Sequence, residues 1–145
     1  RRLLGEGKLP MVEELLGRPY SVILPVREGR RLGRTIGCPT INQIPEEDRM
    51  LPRFGAYLSK VEFMKDGEKV CFHGVTNVGI KPTVSSESKP VFETHLLDFD
   101  GDLYGVTVKV TLHAFLRKER CFNTVEELKE QISRDIAAVR KELQK

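Results

Sequence analysis

Five apolar or alternating stretches, Tyr20 to Val26, Gly55 to Met64, Lys69 to Val78, Val91 to Leu97 and Val106 to Phe115, succeed one another without a helical pattern between them. Segments of this length, rich in β-branched and aromatic residues and bounded by Gly, Asp and Pro, read as strands. A sixth strand is expected through Pro39 to Ile44. Asp66-Gly67 is a strong two-residue hairpin signal between the second and third readable strands. Asp100-Gly101-Asp102 predicts another tight turn, between the fourth and fifth. Strands joined by turns rather than crossover helices pair antiparallel. Closure of so few strands into a small barrel is the economical way to remove exposed sheet edges.

The end of the chain changes period. Apolar residues recur at Val125, Leu128, Ile132, Ile136, Val139 and Leu143, which predicts an amphipathic helix. Thr124 and Glu127 form a T-x-x-E capping box at its start, with Asn123 as a competing cap. Glu130, Arg134 and Lys141 fall on the polar side, so the helix should lie against the barrel. Before the first strand, Leu3 to Gly7 and Met11 to Gly17 read as the ends of short helices stopped by glycine.

At 145 residues the chain has the size of one domain that can close its own core. A charged fraction of 31% beside a hydrophobic fraction of 39% excludes a disordered chain and a helical membrane protein. The net charge of +3 is mild, and its basic excess gathers in Arg27 to Arg34 and Arg117 to Arg120, patches suited to a small polyanion rather than a DNA duplex. Cys38, Cys71 and Cys121 are odd in number and have no C-x-x-C spacing, which argues against a disulfide framework and a zinc site and makes a reducing cytoplasm the expected location. No stretch reaches transmembrane length, and the first residues lack the apolar core of a signal peptide. The chain opens on Arg1, which suggests trimming from a longer protein.

Three groups of residues could carry chemistry. Gly29, Gly33 and Gly37 recur every four residues with Arg30, Arg31 and Arg34 between them, offering backbone N–H groups and guanidinium donors to phosphates. The pattern is neither a P-loop nor G-x-G-x-x-G, and a flexible hairpin explains it equally well. In an extended Pro39-Thr40-Ile41-Asn42, Thr40 and Asn42 project to one face and Ile41 to the other. A hydroxyl and an amide oxygen are hard ligands suited to magnesium, although the same residues also make local turns. In Val91 to Leu97, Phe92, Thr94 and Leu96 share one face, and if it is the core face Glu93 points outward. An outward strand glutamate is commonly just solvated; it is also the best-placed carboxylate for a general base. Other look-alikes fail. Asp98 to Asp102 has its glycine at the wrong position for a calcium loop, and Asp100 interrupts the D-F-G of protein kinases. His73, His95 and His113 lack metal-ligand spacing and read as structural.

The stretch from Gly17 to about Leu143 resembles the riboflavin kinase domain at the C-terminus of bacterial bifunctional riboflavin kinase/FMN adenylyltransferases. The resemblance rests on Gly17-Arg18-Pro19-Tyr20-Ser21, Gly33 to Gly37, Pro39-Thr40 with Asn42, Gly74 to Gly79 with Pro82-Thr83, Glu93 to Phe99, and Leu116-Arg117 leading to Phe122, in that order. It implies a mainly β fold, a six-stranded antiparallel Greek-key barrel with a C-terminal helix. It further implies phosphoryl transfer from ATP to the ribityl 5′-hydroxyl of riboflavin, giving FMN. Under it Gly33, Arg34, Gly37, Thr40 and Asn42 bind nucleotide phosphates, Thr40 and Asn42 hold Mg2+, Glu93 activates the hydroxyl, and Arg117 and Phe122 border the flavin. Residues 1–16 would be the remnant of an adenylyltransferase domain, the partner in the parent chain, and residues 17–145 the kinase domain. The family motif usually reads Pro-Thr-Ala-Asn, so Ile41 replaces a small residue, and Cys38 stands where an aromatic is common. Two other readings remain: a barrel that binds flavin or nucleotide without turnover, and a nucleic-acid-binding barrel. The second is the weakest, since the chain has no Trp and only 7% aromatic residues for base stacking.

Overall fold

The structure is a computed structural model that describes residues 20–27, 40–82 and 88–144. The expected N-terminal helices and the Gly29 to Gly37 segment lie outside the described residues. The described residues form strands β1 (Ser21–Pro25), β2 (Thr40–Gln43), β3 (Gly55–Lys65), β4 (Glu68–Pro82), β5 (Ser88–Leu96) and β6 (Thr107–Lys118), followed by helix α1 (Val125–Leu143).

All strand pairs are antiparallel, in the order β1-β6-β3-β4-β5-β2. The strands β3, β4 and β5 form a meander, and β6 returns beside β3, which is the Greek-key arrangement. At Asp66-Gly67 the chain has φ of 52° and 80°, the two positive values a tight primed hairpin turn demands. The turn expected at Asp100-Gly101-Asp102 does not join neighbouring strands, because β5 and β6 are separated by β3 and β4. That segment is a crossover, pinned by the buried Leu103 and by the Tyr104 N–H donating to Asp102 Oδ1 at 2.9 Å. Turn chemistry marks where the chain bends and not which strand it reaches next.

The ends of the sheet approach each other. Arg27 N–H donates to the Asn42 carbonyl at 2.6 Å, a bridge from the residue two places after β1 to β2. From inside, the buried Gln43 amide donates to the Leu24 and Val108 carbonyls, both at 2.9 Å, tying β2 to β1 and β6. The inner face holds Val22, Leu24, Ile41, Tyr57, Val61, Phe92, Leu96, Val108 and Val110 in one cluster. Ile41, the departure from the family motif, is buried there as alternation requires. Ser59, Thr76 and Thr94 are also buried and satisfy one another through hydroxyl bonds of 2.7 and 2.8 Å.

Two register shifts between β3 and β6 mark bulges. The first reverses alternation along β6, so that Phe115 packs against the inner cluster and edge-to-face on Tyr57, while Ala114 lies with the outer one. On that outer face Ala56, Leu58, Val75 and Leu97 pack with Val139 and Ile136 of α1. Thr124 caps the helix as expected, its Oγ1 accepting from Glu127 N–H at 3.1 Å, while Glu127 Oε2 reaches one residue past the cap and accepts from Asn123 N–H at 3.0 Å. Glu130, Arg134 and Lys141 are exposed as expected. Val125 and Leu143 are exposed too, while Gln131 and Asp135 are buried in their stead.

Candidate active site

Register builds the site. Arg117, Ala56, Asn77, Glu93 and Asn42 stand side by side across β6, β3, β4, β5 and β2. The neighbouring row on the same outer face is Ala114, Leu58, Val75, His95 and Thr40. Alpha helix α1 covers the apolar columns of β3, β4 and β6, and the polar residues collect on β5 and β2. Thr40, Asn42 and Glu93 therefore share one face of two adjacent strands, with Glu93 directly opposite Asn42. Neighbouring strands lie about 4.8 Å apart, so these side chains occupy one small patch.

Glu93 is not the solvated strand residue its neighbours in sequence would suggest, because its side chain is only 14% exposed. Between it and Thr40 lies His95, with Thr40 Oγ1 2.9 Å from Nδ1 and Glu93 Oε1 3.9 Å from Nε2. Gly33, Arg34 and Gly37 lie outside the described residues. Among the described residues no group of three His, Cys, Asp or Glu side chains could hold a metal. A hydroxyl and an amide beside one carboxylate nevertheless fit a magnesium that takes most of its ligands from phosphates and water.

Arg117 is engaged. Its Nε and one terminal nitrogen donate to the two Asp135 oxygens at 2.9 and 2.7 Å, and the latter nitrogen also reaches Asn77 Oδ1 at 3.3 Å. Asp135, 4% exposed, accepts from Gln131 Nε2 at 3.0 Å, and Gln131 Oε1 accepts from Arg120 at 2.7 Å. The Arg120 guanidinium sits 5.2 Å over the Phe122 ring. Thus the two residues expected at the flavin belong to one polar chain that runs from the Glu93 row into α1. Sequence reasoning missed Asn77, Asp135, Gln131 and Arg120. One signal was available: Asp135 lies three residues after Ile132 and four before Val139, on the apolar stripe, where a carboxylate requires a cation.

Fold and patch together define a small Greek-key barrel with a helix-flanked polar strip on its outer face. The chain belongs to the riboflavin kinase family, whose model matches residues 16–143. The bifunctional riboflavin kinase/FMN adenylyltransferase of Pseudomonas fluorescens is 40% identical over 140 residues, 97% of this chain and 43% of that protein. The chain thus spans less than half the length of that relative. A Streptococcus pneumoniae crystal structure described as a macrolide-efflux protein superposes with a TM-score of 0.79 at 29% identity, covering 96% of this chain and 44% of that one. No helix among the described residues is long and apolar enough to cross a membrane. Riboflavin kinase from Trypanosoma brucei superposes with a TM-score of 0.59 over 88% of this chain and 81% of that one; at 22% identity this is a likeness of fold.

Proposed function

We propose that this chain transfers the γ-phosphoryl group of ATP to the ribityl 5′-hydroxyl of riboflavin, giving FMN and ADP. The observation that carries the reading is the register that sets Glu93 opposite Asn42 and one row from Thr40, in a chain of the riboflavin kinase family. Phosphoryl transfer asks a protein to position two substrates and to neutralise charge, with a base on the attacking hydroxyl. Thr40 and Asn42 would hold Mg2+ and phosphate oxygens, and the ion would neutralise charge on the phosphates. Gly33, Arg34 and Gly37 would supply further phosphate donors. Glu93, shielded from water yet directed away from the core, orients the hydroxyl and takes its proton. Phe122 borders the flavin ring, and Arg117, held by Asp135, fixes the wall between flavin and helix.

In the parent protein an FMN adenylyltransferase domain would precede this one, with residues 1–16 as its remnant and residues 17–145 as the kinase unit; the location would be the cytoplasm. The experiment is direct: incubate the chain with riboflavin and Mg-ATP and separate flavins by chromatography. FMN formation that requires ATP supports the proposal. Flavin binding without FMN would make the chain a silent binding barrel and refute it.

A further inference from the structure

His95 is 2% exposed, and a buried imidazole keeps its place through partners for its nitrogens. One nitrogen lies 2.9 Å from the Thr40 hydroxyl and the other 3.9 Å from the Glu93 carboxylate. The second distance is too long for a direct hydrogen bond, yet short enough for the ring edge to face the anion. Register produces this: His95 is directly across from Thr40, and Glu93 is two residues earlier on the same face. The backbone at His95 is clamped as well. A β-carbon at Gly74 would lie 2.6 Å from the His95 carbonyl oxygen, and Leu97 N–H donates to the His73 carbonyl at 2.9 Å. One rigid ring on a fixed backbone therefore links the hydroxyl assigned to the phosphate end with the carboxylate assigned to the acceptor end.

We infer that His95 is a positioning residue for phosphoryl transfer, an inference that rests on the kinase reading above. Which nitrogen carries the proton follows from its surroundings. A lone pair on Nε2 would face a carboxylate, whereas Nε2–H facing it is attractive. In the neutral ring Nδ1 is then the acceptor and the Thr40 hydroxyl the donor, which leaves the threonine's lone pairs for the site. The ring sets the separation between Thr40 Oγ1 and Glu93, much as partners outside a metal's own ligands orient those ligands, where a substitution typically costs about 10–100-fold in affinity or activity.

Two measurements test this. In the ligand-free protein, nitrogen NMR of the His95 ring should show the neutral tautomer protonated at Nε2, and Thr40→Val should move the Nδ1 resonance; a proton on Nδ1 overturns the inference without any assay of turnover. Kinetics then separate the two arms. His95→Asn places an amide near Nδ1 and should keep the KM for Mg-ATP close to the parent's while kcat falls about 10–100-fold. His95→Gln places one near Nε2 and should do the reverse, weakening Mg-ATP by a similar factor. Thermal melts establish that each variant is folded, and the tautomer measurement holds whether or not they are. If the parent forms FMN and both folded variants match it, the positioning role is wrong. A parent that forms no FMN overturns the kinase reading itself, and this role with it.

Discussion

Asp135→Ala should loosen the helix from the barrel, and the geometry sets the size of the effect. The carboxylate is 4% exposed and grips Arg117 through two bonds of 2.9 and 2.7 Å. Removing one partner of a buried pair costs about 3–5 kcal/mol, because the remaining charge is left uncompensated. Here the Arg117 side chain keeps 20% of its surface in water, and it retains bonds to Asn77 Oδ1 at 3.3 Å and the Lys118 carbonyl at 3.1 Å. Those contacts lower the expected cost to about 2–3 kcal/mol, part of it from Gln131 Nε2 losing its acceptor. For a chain of this length that corresponds to a fall in Tm of about 4–12 °C. Urea unfolding followed by circular dichroism measures it for Asp135→Ala, Arg117→Met and the double variant Asp135→Leu/Arg117→Met. The double variant should recover much of the loss, since no buried charge remains in it. A single variant within about 0.5 kcal/mol of the parent, the range of ordinary surface substitutions, or a double variant whose losses simply add, would refute the reasoning.

Other outcomes follow from named contacts. Glu93→Gln keeps the shape and removes most of the basicity, so turnover should fall by about two powers of ten or more while riboflavin binding, read by flavin fluorescence, stays near the parent's; parental single-turnover rates would exclude it as the base. Thr40→Ala should cost at least the roughly tenfold typical of lost metal-site partners at limiting magnesium, and should lower stability by about 1–3 kcal/mol because the buried His95 ring loses its Thr40 partner; equal activity across a magnesium titration would remove it from the ligand set. The Lys69 ammonium, 2.6 Å from Glu62 Oε2, holds that carboxyl below its ordinary value of 4.5. A lowered carboxyl contributes stability above 4.5 that is lost as pH falls through its folded value, so Lys69→Met should lose less on acidification than the parent, and superimposable plots of Tm against pH would contradict this. Gly74→Ala should destabilise by about 1–3 kcal/mol, because its β-carbon would meet the His95 carbonyl oxygen at 2.6 Å; an open site would instead gain stability from the same change, so a raised Tm would show that the strands separate freely.

Local chemistry in the sequence already determined the strands, the Asp66-Gly67 hairpin, the capping box at Thr124 and the amphipathic helix, since each depends on residues within a few positions of one another. Alternation alone sent Ile41 inward and Thr40 and Asn42 outward, and separated Glu93 from Phe92 and Thr94. Tertiary structure decided which strands are neighbours. The tight turn expected at Asp100-Gly101-Asp102 lies on a crossover between strands that are not neighbours, because pairing is settled by which apolar faces can be buried together across the whole barrel. The same pairing placed Glu93 between Asn42 and Asn77, put His95 opposite Thr40, and turned Phe115 inward through a bulge that no spacing rule signals. Asp135 and Arg117, eighteen positions apart in the chain, became one buried pair because the helix folds back over the barrel. A side chain's face is a property of its own strand, but its partners belong to other strands, and only the assembled sheet brings them within bonding distance.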